Sequence, residues 1–113
     1  MDTRNVPLQD LYIFKNGKPV VMVDLLEWAK WMAGTNRVVT ASGTEEGPCV
    51  VTIFLGLDYQ FGSVKPRKPL LFLTVIAGGP HDGEARLTSD VSAAYMAQAE
   101  MERKAFSKKE EIR

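Results

Sequence analysis

Residues 49–57, Cys-Val-Val-Thr-Ile-Phe-Leu-Gly-Leu, govern how this chain folds on paper. Side chains alternate along an extended segment, so Cys49, Val51, Ile53, Leu55 and Leu57 share one face and Val50, Thr52 and Phe54 share the other. Both faces are apolar. A strand with one wet face would alternate apolar with polar residues, so 49–57 reads as a central strand covered on both sides. Leu70 to Ala77 repeats the pattern, with Phe72, Thr74 and Ile76 opposing Leu71, Leu73 and Val75. Strands of this kind need two covering layers. Helices of the chain supply one, and another subunit is expected to supply the other.

Upstream, Ser42 to Pro48 is a turn built on Gly43, Gly47 and Pro48 around Glu45 and Glu46, and Arg37 to Ala41 is a short strand before it. Leu11 to Phe14 and Val20 to Val23 flank Asn16-Gly17, a strong hairpin signal because this pair tolerates the positive φ of a tight turn. Pro19 has no amide hydrogen, which puts it at the start of the second strand or on an edge. Asp24 then opens a helix. Asp24 and Glu27 have capping-box spacing, Leu25, Trp28, Ala29 and Met32 recur at helical intervals, and Gly34 stands where the helix should end. The spacing predicts that Trp28 is core. Trp31 falls on the shoulder of the stripe, as a half-buried core edge or as a contact for an oligomer or partner.

Downstream, Asp58 to Pro69 is long for a hairpin connection and carries Gly62, Pro66 and Pro69 with Lys65, Arg67 and Lys68. Gly78-Gly79-Pro80-His81-Asp82-Gly83 is a sharply punctuated turn, and Glu84 to Leu87 is a final short strand. Thr88 or Ser89 is the expected cap of a last helix from about Asp90 to Lys104, rich in alanine. The expected architecture is α+β: a mainly antiparallel sheet of four to six strands with two helices packed on one face. Residues 1–10 read as a mobile arm, 11–106 as a single domain and 107–113 as a charged tail.

The composition is that of an ordinary globular chain. Of 113 residues, 45% are apolar and 25% charged, enough to bury a core without a disulfide or metal. The 14 basic residues balance 14 acidic ones, which argues against general nucleic-acid binding but leaves room for a local basic patch. The lone Cys49 excludes a disulfide framework and suits a reducing compartment. Residues 1–10 resemble neither a signal peptide nor an anchor, and the longest apolar run falls far short of the roughly 20 residues that span a bilayer. A cytoplasmic protein is expected.

No complete catalytic set emerges. His81, Asp82 and Glu84 form the one cluster with acid-base or metal chemistry; a zinc site usually needs more His or Cys ligands than one loop provides, so the cluster reads as a polar turn rather than as a metal or acid-base site. Cys49 as a nucleophile would need an activating base and an electropositive setting, and a buried strand thiol is the better reading. Gly78-Gly79-Pro80 lacks the endings of a phosphate-binding loop. Asp58 either caps its loop or faces a ligand. Lys65, Arg67 and Lys68 beside Tyr59 and Phe61 form either a solvated loop or a seat for a phosphate, a nucleotide base or an acidic protein surface. The candidate ligand- or partner-binding residues are thus Asp58, Tyr59, Phe61, Lys65, Arg67, Lys68 and Trp31, with no catalytic or metal-ligating residue and no cofactor assigned.

The string Val51-Thr52-Ile53-Phe54-Leu55-Gly56-Leu57-Asp58-Tyr59, followed by Phe61-Gly62, Pro69-Leu70-Leu71-Phe72 and Gly78-Gly79, resembles a group of small uncharacterised proteins encoded by bacteriophages and prophages. Asp24, Trp28, Ala29, Trp31 and Arg37-Val38 extend the likeness over roughly Tyr12 to Ala99. Tyr59 and Leu73 replace a His and a Glu of the group's pattern, and a helix His has no counterpart near Ala97, so three residues suited to metal or acid-base work are exchanged together. The resemblance implies a phage origin but no activity; together with the small single domain and the lack of a complete catalytic set, it leads to the expectation of a non-enzymatic accessory protein that binds and inhibits a bacterial defence component in the host cytoplasm. Alternatives are a nucleotide or small-molecule sponge at a subunit interface and a minor metal-dependent enzyme. The expected partners are a second copy of the chain and a host protein or nucleotide, with no membrane.

Overall fold

In the computed structural model, which describes residues 11–44, 46–57 and 68–107, the six strands and two helices divide between two sheets. A hairpin of β1 (Leu11–Lys15) and β2 (Lys18–Met22) leads into α1 (Leu25–Gly34). Then β3 (Val38–Gly43), β4 (Cys49–Phe54), β5 (Phe72–Ala77) and β6 (Ala85–Thr88) form a four-stranded antiparallel meander, and α2 (Val91–Ala105) closes the described chain. The α+β architecture matches the expectation from the pattern. The N-terminal arm and the residues beyond Ser107 lie outside the described residues.

Local chemistry accounts for each boundary. Asn16 (φ 54°) and Gly17 (φ 79°) both take positive φ, the requirement of a two-residue turn whose twist matches its strands. Pro19 sits in β2 opposite Phe14. The Asp24 carboxylate accepts the Glu27 amide at 3.1 Å and starts α1. The strand expected through Leu57 stops at Phe54, because Gly56 turns the chain with φ 81° and delivers Leu57 to a bridge with Leu11. The Tyr12 amide donates to the Gly56 carbonyl at 2.9 Å, tying the hairpin to the end of β4. The cap of α2 is Asp90, not Thr88 or Ser89: β6 runs on through Thr88, and the Asp90 carboxylate accepts the Ala93 amide at 2.8 Å.

One face of the meander is covered by α2 and the hairpin together. Val50 and Ile76 pack on Met101 and Ala105. At the other end Phe54, Leu71 and Phe72 pack on Ala94, with Phe14 and Trp31 against them. Phe54 is the hub, its ring centroid 5.3 Å from Phe14, 5.5 Å from Phe72 and 5.9 Å from Trp31. Between these clusters lies a buried polar line of Thr52, Thr74 and Gln98.

The other face follows from the register. Cross-strand rows run Gly43, Cys49, Ala77, then Ala41, Val51, Val75, Ala85, then Val38, Ile53, Leu73, Leu87. A bulge between Val38 and Thr40 lets Val39 turn inward to the Phe54 cluster and keeps Val38 outside. None of these residues is buried, and among the described residues no second layer lies over them. The polarity is inverted: the threonines of the strands, Ser42 and Arg86 face α2, and the uncovered rows have no polar side chain apart from the thiol.

Candidate functional site

Most of the residues that the sequence nominated for binding cannot be placed: Asp58, Tyr59, Phe61, Lys65 and Arg67 lie outside the described residues. Lys68 is exposed. Trp31 is half-buried, its ring edge-on to Phe54 at an interplanar angle of 88°.

The helix that carries Trp31 departs from the predicted stripe. Trp28, Trp31 and Met32 turn inward, while Leu25 and Ala29 are exposed. Trp28 is half-buried rather than core, and its indole Nε1 donates to the Tyr12 carbonyl at 3.1 Å, fastening α1 to β1. The reason is phase. Apolar residues surround most of this helix, so positions 25, 28, 29, 32 and 28, 31, 32, 35 fit the same periodicity, and packing on the narrow hairpin selects the second. No residue of α1 is buried. Its first turn overhangs the hairpin, leaving Val23 92%, Leu25 65% and Leu26 64% exposed beside Val21 at 50%. Helical spacing alone missed this patch; apolar residues on nearly every side of the helix are its sequence signal.

The turn between β5 and β6 brings together the residues of the His81 cluster without making a metal centre. The Asp82 carboxylate accepts the Gly78 amide at 2.6 Å, which braces the turn. His81 Nδ1 lies 2.8 Å from Glu84, whose other carboxylate oxygen accepts from Lys104 Nζ at 2.7 Å. Glu84 thus ties the turn to α2, and Arg86 pairs with Glu100 one step further along β6. Among the described residues, no group of three or more His, Cys, Asp and Glu converges where a metal ion would sit.

These pairs predict an acid response. The Lys104 hydrogen bond, and then the one from His81, hold the Glu84 carboxyl below its ordinary value of 4.5; the Arg86 hydrogen bond does the same for Glu100. A carboxyl lowered in the native state takes up protons there less readily than in the unfolded chain. The stability contributed by both pairs is therefore fully present above 4.5 and is lost as the pH falls through the lowered values. Both carboxylates are solvent-exposed, so the effect is small and salt-sensitive. Glu84→Gln with Glu100→Gln should flatten the acid side of a plot of thermal midpoint against pH at low salt; an unchanged acid side would mean that the pairs add nothing.

The open sheet face carries two shallow hollows. One, of about 310 Å³, is lined by Ala41, Ser42, Gly43, Thr44, Cys49 and Val51. The other, of about 300 Å³, lies among Thr35, Asn36, Arg37, Val38 and Ile53. Arg37 is the cation of the second hollow, but its guanidinium donates to the Phe54 carbonyl at 3.2 Å and holds the end of β4. Cys49, expected to be a buried strand thiol, is half-exposed on this face. The described part of the molecule thus offers two apolar surfaces, the overhanging turn of α1 and the uncovered sheet. No helix among the described residues is long and apolar enough to cross a membrane. The chain matches no protein-family model, no curated protein and no solved structure.

Proposed function

We propose that the protein is a non-enzymatic phage or prophage accessory protein that acts by binding, works as a homo-oligomer, and targets a component of a bacterial defence system. The likeness of 51–59 and 69–72 to phage-encoded sequences supports the origin. One observation carries the binding mode: α1 buries none of its residues, while Val23, Leu25 and Leu26 stand in solvent. A helix of ten residues is marginal by itself and owes its stability to packing. The indoles provide that packing. Leu25 and Leu26 add nothing to it, and contiguous exposed apolar side chains on a small protein mark an interaction site. Covering what each leucine still exposes on a partner contributes roughly 1–2 kcal/mol, enough for the pair together to anchor an interface.

The test compares capture of bacterial lysate proteins by the wild type and by Leu25→Ser with Leu26→Ser. The expected result is one or more proteins retained by the wild type and lost from the double variant, with both chains folded by circular dichroism. Equal capture by both, or none by either, overturns the reading. A thermal-shift panel of nucleotides addresses the sponge alternative, which requires that a nucleotide raise the midpoint of the wild type.

A further inference from the structure

We propose that a second copy of this chain packs on the open face of the four-stranded sheet, about a two-fold axis that runs across the strands along the Val51 and Val75 row. The proposal rests on the binding reading, which it deepens by assigning self-association to the sheet and leaving the α1 turn for the partner.

Three features of the face favour a second copy as its occupant. First, the polarity of the sheet is inverted. A sheet with one solvated face keeps its polar residues on that face. Here Thr52 and Thr74 lie under α2, and the uncovered rows are valine, isoleucine, leucine, alanine, glycine and cysteine. Second, the three rows carry no charge, and Arg37 at their margin is engaged by the Phe54 carbonyl, so the rows complement a copy of themselves. The segments outside the described residues fit this face poorly: residues 1–10 bring Asp2, Arg4 and Asp10, 58–67 bring Asp58, Lys65 and Arg67, and 108–113 are charged at every position but Ile112. Laying them on an apolar sheet would strip water from unpaired charges.

Third, the size comes close to what an interface needs. Strands about 4.8 Å apart and residues rising about 3.3 Å give this face roughly 400 Å² in projection. Two such faces, roughened by side chains, approach the roughly 1,000 Å² at which a specific interface becomes sustainable.

The axis follows from volume. Side chains grow along the strands, from Gly43, Cys49 and Ala77 at one end to Ile53, Leu73 and Leu87 at the other. An axis along the strands would set large row on large and small on small, leaving the hollow beside Cys49 unfilled. An axis across them reverses the strand direction, so the large row of one copy enters the hollow of the other and Val75 approaches its own symmetry mate. Close packing favours the second arrangement.

Light scattering after size exclusion tests this directly. At micromolar concentration the wild type should have twice the chain mass, and Val75→Glu, which places two carboxylates at the axis, should have half of that with an unchanged far-ultraviolet spectrum. A wild-type monomer overturns the proposal, and so does a folded Val75→Glu dimer. The wild type supplies a second reading that needs no variant: alkylation of Cys49 should slow several-fold as protein concentration rises through the dimer's dissociation range. A rate independent of concentration overturns the proposed packing. Leu25→Ser with Leu26→Ser should remain dimeric whether or not it captures a partner, so mass judges the sheet proposal and capture judges the binding reading.

Discussion

Phe54→Ala is expected to lower the unfolding free energy by about 3–5 kcal/mol, a large fraction of the 5–15 kcal/mol that holds a typical domain together. Phe54 is fully buried, at 0% exposure, and its ring meets Phe14 of the hairpin, Trp31 of α1 and Phe72 of β5. Truncation removes the apolar transfer term and leaves a cavity where three elements meet. The hairpin and α1 stand outside the meander that carries Phe54 and Phe72, tied to it at the end of β4 by the Leu11–Leu57 bridge and the Tyr12–Gly56 hydrogen bond, so their freedom to close the gap is limited. Urea denaturation followed by tryptophan fluorescence reads the loss directly, since Trp31 packs on the deleted ring. Phe54→Leu, which keeps much of the volume, should recover over half of the deficit. A loss below about 1 kcal/mol for the alanine variant would mean that this aromatic junction does not hold hairpin, helix and sheet together.

Gln98→Leu is expected to cost about 2–4 kcal/mol, although it replaces a polar residue with an apolar one of similar size in a buried position. Gln98 is 3% exposed. Its side-chain carbonyl accepts the Thr52 hydroxyl at 2.8 Å, and its amide donates to the Val50 carbonyl at 3.0 Å and to Glu102 at 2.9 Å, with Ser42 Oγ at 3.2 Å. Thr52 has one proton, and that proton goes to Gln98. Thr74, 2.7 Å away, is therefore the donor in its contact with Thr52. Leucine at 98 leaves one hydroxyl proton of the Thr52–Thr74 pair without an acceptor inside an apolar layer and removes the donor that Glu102 and Val50 share, and an unpaired buried group costs far more than a made hydrogen bond returns. Adding Thr52→Val and Thr74→Val to Gln98→Leu should restore much of the stability, because donors and acceptors then disappear together. A triple variant less stable than Gln98→Leu alone would overturn this account.

The elements of the fold were legible wherever a short-range rule governs them. Asn16-Gly17 demands its turn, Asp24 caps its helix, and the alternation in 49–57 and 70–77 describes two neighbouring central strands whatever surrounds them. The rotational phase of α1 was not legible. A helix apolar on most sides satisfies several stripes equally, and the hairpin beneath it made the choice, turning Trp31 inward and Leu25 outward. The division into two sheets also lay beyond local signals, since it depends on Gly56 redirecting the chain after Phe54. Gln98 reads as an unremarkable polar residue of an alanine-rich helix. Only the register of Thr52 against Thr74 beneath it turns it into the centre of a buried network.

Two apolar faces on the central strands, and hence the need for two layers, were determined by the amino-acid sequence alone, because side-chain alternation is a property of any extended chain. Which face α2 would cover was not. The tertiary structure placed the helix over the threonines and left the aliphatic face open, because that side lets Gln98 and Glu102 of α2 accept the Thr52 and Ser42 hydroxyls of the sheet. Burying polar groups requires partners with defined geometry, which one helix of this chain provides. The aliphatic face requires only shape and the exclusion of water, which the proposed second copy would supply without any directional bond.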